Sequence, residues 1–249
     1  MRFGAAIFLF LIGLSVFAQV KFHGQVGMTI STFDRDLMEE YGFIEYRQAR
    51  IDDGINASSE AKNSVRPGAV VSIEMDVYLN DNTFLKTGVK YTNGGDSYFF
   101  KTPDIQYQRY YGLITTDARF KYRPRLDYIA IPVNYGKKLG DFTIYGGLTT
   151  HINMATALRA NYFEGSGGNT VRERWDREDD LVKATKTVFF FNIGANYLIP
   201  AFDMDNVVSL NIGYSLNPVY DQPNAEGQIN SARLWTIEIG YGITLSTGD

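Results

Sequence analysis

The chain contains no cysteine. Disulfides, thiolate metal sites, a cysteine nucleophile and a cysteine-linked lipid anchor are therefore excluded. Proline is scarce, at 7 of 249 residues, so little interrupts extended strands. Positive charge is not in surplus: 24 Lys and Arg face 28 Asp and Glu. That balance argues against nucleic acid as a partner. Beyond the first 18 residues no apolar run approaches the ~20 residues that a membrane-crossing helix needs. If the remaining chain crosses a membrane, it does so by strands.

What is abundant points to β structure. Glycine numbers 24, and 17 Tyr and 17 Phe bring aromatics to 14%. The length suits one all-β domain. Residues 1–18, MRFGAAIFLFLIGLSVFA, carry a basic start at Arg2 and a short apolar core from Ala5 to Val16. Val16 and Ala18 then supply the small residues of a cleavage site. This reads as a signal peptide cut between Ala18 and Gln19, leaving residues 19–249 as one barrel domain. Losing Arg2 takes the net charge from −4 to −5.

Eight segments alternate with period two. The clearest sets Val71, Ile73, Met75, Val77 and Leu79 against Ser72, Glu74, Asp76 and Tyr78. The last sets Trp235, Ile237, Ile239, Tyr241, Ile243 and Leu245 against Thr236, Glu238, Gly240, Gly242 and Thr244. The others run over 20–32, 83–93, 126–136, 142–152, 187–198 and 208–216. Their connections alternate strictly between short (80–82, 136–141, 199–206) and long (33–68, 94–125, 153–186, 217–232). In an up-and-down sheet this puts the short turns and both termini at one end and four long loops at the other. The pattern predicts an all-β, eight-stranded antiparallel transmembrane barrel with short periplasmic turns and long external loops. A soluble lipocalin-type barrel also alternates, but its outward face would be charged. Here the polar faces are rich in Gly, Ser, Thr and Asn. Tyr91, Tyr128, Tyr135, Phe142, Tyr197, Tyr214 and Trp235 fall near strand ends, as interfacial girdles do.

The stretch Leu126-Asp-Tyr-Ile-Ala-Ile-Pro-Val-Asn-Tyr-Gly136, followed by Leu139-Gly-Asp-Phe-Thr-Ile-Tyr-Gly-Gly-Leu148, resembles a hairpin of PorT-like outer-membrane barrels of Bacteroidetes-type bacteria. Phe84-Leu-Lys-Thr-Gly-Val-Lys-Tyr91 followed by Gly94-Gly95 is similar to another strand of that family. The matching pieces span about a third of the chain after the leader. The resemblance implies an eight-stranded outer-membrane barrel. It implies no single activity, and it is compatible with an accessory role in type IX secretion. The first strand departs from the family's Gly-rich opening, and the last is followed by Ser246 to Asp249 rather than ending on an aromatic.

Two groups of residues stand out. Inward-facing Glu74 and Asp76 on the second strand oppose Lys86 and Lys90 on the third, and Glu238, Lys21 and His23 join where the last strand meets the first. Buried charge demands partners, so these residues predict a paired polar plug in a lumen only wide enough for side chains. The competing reading is an ion path or gate. The second group lies in the link 94–125, where Tyr107, Tyr110 and Tyr111 interleave with Arg109, Arg119, Lys121 and Arg123. This aromatic-basic rim would suit lipopolysaccharide phosphates or a protein partner, and its alternation suggests strands extended beyond the membrane.

The chain shows no catalytic, cofactor or metal motif. His23 and His151 are the only histidines and do not form a ligand cluster. His151-Ile152-Asn153 lacks the His-x-Ser of a lipid-deacylating barrel. The acidic segment 164–180 lacks EF-hand spacing and reads as a solvated, self-paired loop. The expectation is a non-enzymatic barrel of the outer membrane, structural or partner-binding through its loops and surrounded by lipid and lipopolysaccharide. A small pore or transporter is the alternative, and a lipid-modifying enzyme a more distant one.

Overall fold

A computed structural model describes residues 19–34, 60–109, 112–166, 169–178, 184–201, 204–223 and 229–247. Residues 1–18, expected as a signal peptide, and Tyr110 and Tyr111 of the expected rim lie outside these residues. Among the described residues there are thirteen strands: β1 (Val20–Phe33), β2 (Glu60–Ser64), β3 (Arg66–Asn80), β4 (Thr83–Gly95), β5 (Ser97–Arg109), β6 (Gly112–Leu139), β7 (Phe142–Ser166), β8 (Asn169–Glu178), β9 (Thr187–Ala201), β10 (Met204–Ser215), β11 (Tyr220–Pro223), β12 (Ile229–Ala232) and β13 (Leu234–Thr247).

Eight of them close a barrel. The order β1-β3-β4-β6-β7-β9-β10-β13 returns to β1, and every neighbouring pair is antiparallel. Closure leaves no free backbone edge around the wall. The turns follow local chemistry. At β3–β4 the Asn80 side-chain oxygen accepts from the backbone N–H groups of Asn82 (3.0 Å) and Thr83 (2.9 Å), an Asx-type turn. At β6–β7 two residues suffice, because Gly140 adopts φ 66°, where a side chain would be strained.

The polarity is inside out. Val26, Met28, Ile73, Val133, Ile193, Leu210, Ile239 and Leu245 are exposed on the outer surface, whereas Ser72, Glu74, Asn134, Thr149, Asn192 and Thr236 are buried within. A soluble barrel would reverse these faces, because exposed apolar area costs ~25 cal/mol per Å² in water. On β13 the outward apolar stripe runs from Trp235 to Leu245. That length is about 33 Å at ~3.3 Å per residue. Tilted by ~45°, it projects to about 23 Å, close to the apolar band of membrane barrels. The fold is a transmembrane barrel.

Two aromatic girdles bound the band. Tyr135, Phe142 and Tyr197 lie toward the turn end, with the Phe142 and Tyr197 rings 4.5 Å apart. Tyr91, Tyr214 and Trp235 lie toward the other end, where the Tyr214 and Trp235 rings meet at a tilt with centres 4.4 Å apart. Tyr128 departs from the expected girdle. It points into the lumen and is 1% exposed, because it shares the inward parity of Leu126 and Ala130.

The long links are not simply loops. β4 is followed by β5, which pairs with the outer half of β6, and β2 adds to β5. The outer half of β7 pairs with both β6 and β8. A five-stranded sheet, β2-β5-β6-β7-β8, thus continues the wall beyond the barrel. The segment 164–180, expected as a solvated loop, holds the end of β7 and all of β8. Backbone pairing satisfies groups that a loop would leave to water.

Candidate functional site

The lumen is filled in layers. In its middle, β1, β3, β4 and β13 bring charged side chains together. Asp76 Oδ1 lies 2.9 Å from Lys86 Nζ, and its Oδ2 lies 2.8 Å from His23 Nε2. Lys86 also approaches Glu74 at 3.5 Å. Glu74 is 3.9 Å from Lys90, whose Nζ is 2.7 Å from Glu238. The other ring nitrogen of His23 is 2.8 Å from the Thr244 hydroxyl, and the Asn211 amide donates to Glu238 at 3.0 Å. Six of the seven residues singled out in the sequence thus form one connected network. Lys21 stands apart. Its ammonium lies 6.0 Å from the Tyr78 ring centre, and no ion pair involves it among the described residues. It sits on β1 directly opposite Asp76, but Asp76 is occupied by His23 and Lys86.

Lys86 is only 1% exposed, so its charge depends on these partners. Its ammonium also lies 5.2 Å from the Tyr145 ring centre. Glycine makes room for that ring. Tyr145 on β7 faces Gly194 on β9, and a Cβ at Gly194 would collide with it. Phe84 on β4 lies likewise over Gly136 on β6. Both are large inward side chains laid over a neighbouring strand's glycine, a device that suits narrow barrels. Neither pairing was identified from the sequence, although each glycine falls on an inward position of its strand.

Below the network, toward the turns, a cavity of about 40 Å³ is lined by Lys21, His23, Asp76, Tyr78, Thr143 and Asn196, among others. Above it, the filling turns aromatic and aliphatic. His151 stacks on Phe190 with ring centres 4.1 Å apart and lies 5.2 Å from Tyr128. Leu126, Val188 and Leu234 are buried as well. Phe33 and Tyr220 meet edge to face at 5.3 Å. Tyr220 begins the short β11–β12 hairpin, and a bridge to Ala184 fixes it. His151 is thus a ring within an apolar stopper.

At the outer rim, Arg125 donates to Asp127 (2.9 Å) and to the Tyr91 hydroxyl (3.4 Å). The hydrogen bond to Asp127 and then that to Tyr91 hold its guanidinium above its ordinary range. Arg66 donates to the carbonyls of Arg123 and Pro124. Its burial, and then Arg125, lower it to about 10, still cationic at neutral pH. Of the expected rim residues, the backbone of Tyr107, Arg109, Arg119, Lys121 and Arg123 belongs to β5 and β6.

No family model matches the chain, and no curated protein matches it. Solved structures do. The chain is similar to the outer membrane protein OprG from Pseudomonas aeruginosa, at 11% identity over 92% of this chain and 97% of that one (TM-score 0.37). It is also similar to Ail, the attachment invasion locus protein of Yersinia pestis, solved with the heparin analogue sucrose octasulfate. There the identity is 10% over 91% and 99% of the two chains (TM-score 0.35). For Neisserial surface protein A the figures are 11%, 90% and 96% (TM-score 0.31).

Proposed function

We propose that this chain is an exported barrel of the bacterial outer membrane, closed to ion flow, that acts through its outer sheet as a structural or partner-binding component. The observation that carries the reading is the filled lumen. A charge network with Lys86 1% exposed and Lys90 buried lies under a stopper of Phe33, Tyr220, Leu126 and Leu234. Such an interior supports neither a steady pore nor a substrate cleft. Single-chain barrels of this polarity belong to outer membranes, and the leader at residues 1–18 supports export. The similarity to PorT-like sequences favours an accessory role in an envelope complex, type IX secretion among them.

The pore reading has one observation in its favour: the cavity at the turn end reaches His23 and Asp76. The two readings separate in planar bilayers. The purified full chain is expected to give no steady single-channel conductance, and a stable open level would favour the pore. Fractionation of cells tests location, with the protein expected in the outer-membrane fraction and shifting in apparent mass on boiling.

A further inference from the structure

The sheet β2-β5-β6-β7-β8 has two chemically different faces. Residues paired directly across antiparallel strands share a face, so the register sorts them. One row reads Lys62-Phe99-Lys121-Asn161-Arg174. The next row outward reads Glu60-Lys101-Arg119-Phe163-Arg172. Nearer the barrel stand Arg123-Arg159-Asp176 and Arg125-Ala157-Glu178. These four rows carry nine cations against three carboxylates. The opposite face carries Tyr98 paired with Tyr122, Phe100 with Phe120, and Phe120 with Tyr162. What reads in sequence as one aromatic-basic rim is therefore split by the pleat.

Strand β6 identifies which face is which. Leu126 and Pro124 are buried on the lumen side, so the aromatic face continues the lumen wall. Arg123 and Arg125 share the outward parity of Ile129, Ile131 and Val133. The basic face therefore stands directly above the lipid-facing belt, and the change from apolar to charged falls between Ile129 and Asp127. Successive rows rise by about 5 Å each, given ~3.4 Å per residue and a ~45° tilt. The four rows cover the headgroup layer and the zone just outside it.

We infer that this outward face binds the phosphates of the anionic glycolipid in the surrounding outer leaflet, the lipid A and inner-core region of lipopolysaccharide. This rests on the outer-membrane reading above and names the partner of its rim. Three features select this occupant over a soluble polyanion or a protein. The cations begin at the belt, their rows climb in step with the depth of a headgroup layer, and their register positions belong to the outward face of the sheet. Arginine supplies six of the nine, and its planar fork matches phosphate oxygens in pairs.

The test uses the full chain in neutral phosphatidylcholine nanodiscs, with diphosphoryl lipid A as probe. Native mass spectrometry is expected to retain lipid A on the wild type and to lose it as salt rises. The variant Arg119→Gln/Lys121→Gln/Arg123→Gln/Arg159→Gln is expected to retain at least tenfold less. A boiling-dependent gel shift equal to wild type confirms that this variant is folded. Equal retention of dephosphorylated lipid A, or wild-type retention by the folded variant, overturns the proposal. So does tighter binding of soluble heparin than of lipid A, which would make a free sulfated glycan the ligand. Failure of the location itself has a separate readout, absence of the protein from the outer-membrane fraction.

Discussion

Lys90 on β4 and Glu238 on β13 meet inside the lumen at 2.7 Å, although β3 and β1 stand between their strands in the wall. The contact ties opposite arcs of the barrel together. Removing one partner leaves a buried charge uncompensated, which typically costs ~3–5 kcal/mol. Lys90→Met is expected to destabilise the barrel by about that much in urea unfolding from lipid vesicles. Lys90→Met/Glu238→Leu is expected to recover more than half of the loss. Additive losses in the double mutant would deny the coupling.

The glycine opposite Tyr145 predicts an overpacking effect. Gly194→Ala sets a methyl group against the Tyr145 ring, and such insertions cost ~1–3 kcal/mol. Tyr145→Leu in the same chain is expected to relieve most of that loss, as read by the unfolding midpoint. A neutral Gly194→Ala would show that the ring is not held over this strand.

Polarity at the outer wall predicts a dependence on depth. Ile239 lies in the middle of the β13 stripe and Leu245 at its end, and both are exposed. Ile239→Arg is expected to cost ~2–4 kcal/mol in vesicles and Leu245→Arg ~0–1. Equal small costs at both sites would fit a water-facing wall and contradict the membrane reading.

The charge network is expected to act as filling, with no gating role. Glu74→Gln/Lys86→Met removes one carboxylate and one ammonium of the same cluster while keeping volume. Its expected conductance in planar bilayers equals that of wild type, with no steady channel. A stable open level in this variant would assign the network a gate.

Much of the barrel was legible because a strand's side-chain period is two and one face meets lipid. Seven of the eight alternating segments lie within a strand of the wall, and the eighth, 208–216, overruns the end of β10 by one residue, Leu216. Asp76 and Lys86 were readable as neighbours because one tight turn at Asp81 joins their strands, and the register pairs them directly. The extent of the strands was less legible. β6 runs to Gly112 and β7 to Ser166, through segments whose alternation mixes aromatic with charged residues. There the two faces meet neither the apolar core of a bilayer nor a closed lumen, so the hydrophobic contrast that marks a strand weakens.

The sequence by itself determined the polarity of the wall, the strand count, the turn positions and which residues face inward. Those properties depend on periodicity and on near neighbours along the chain. Only the tertiary structure decided which inward groups meet. Closure brought His23 to Asp76 and Lys90 to Glu238 and left Lys21 outside the network. It also sorted the rim into a basic face and an aromatic one. Each of these depends on the register between strands far apart in sequence, which hydrogen bonding fixes across the sheet and no local pattern encodes.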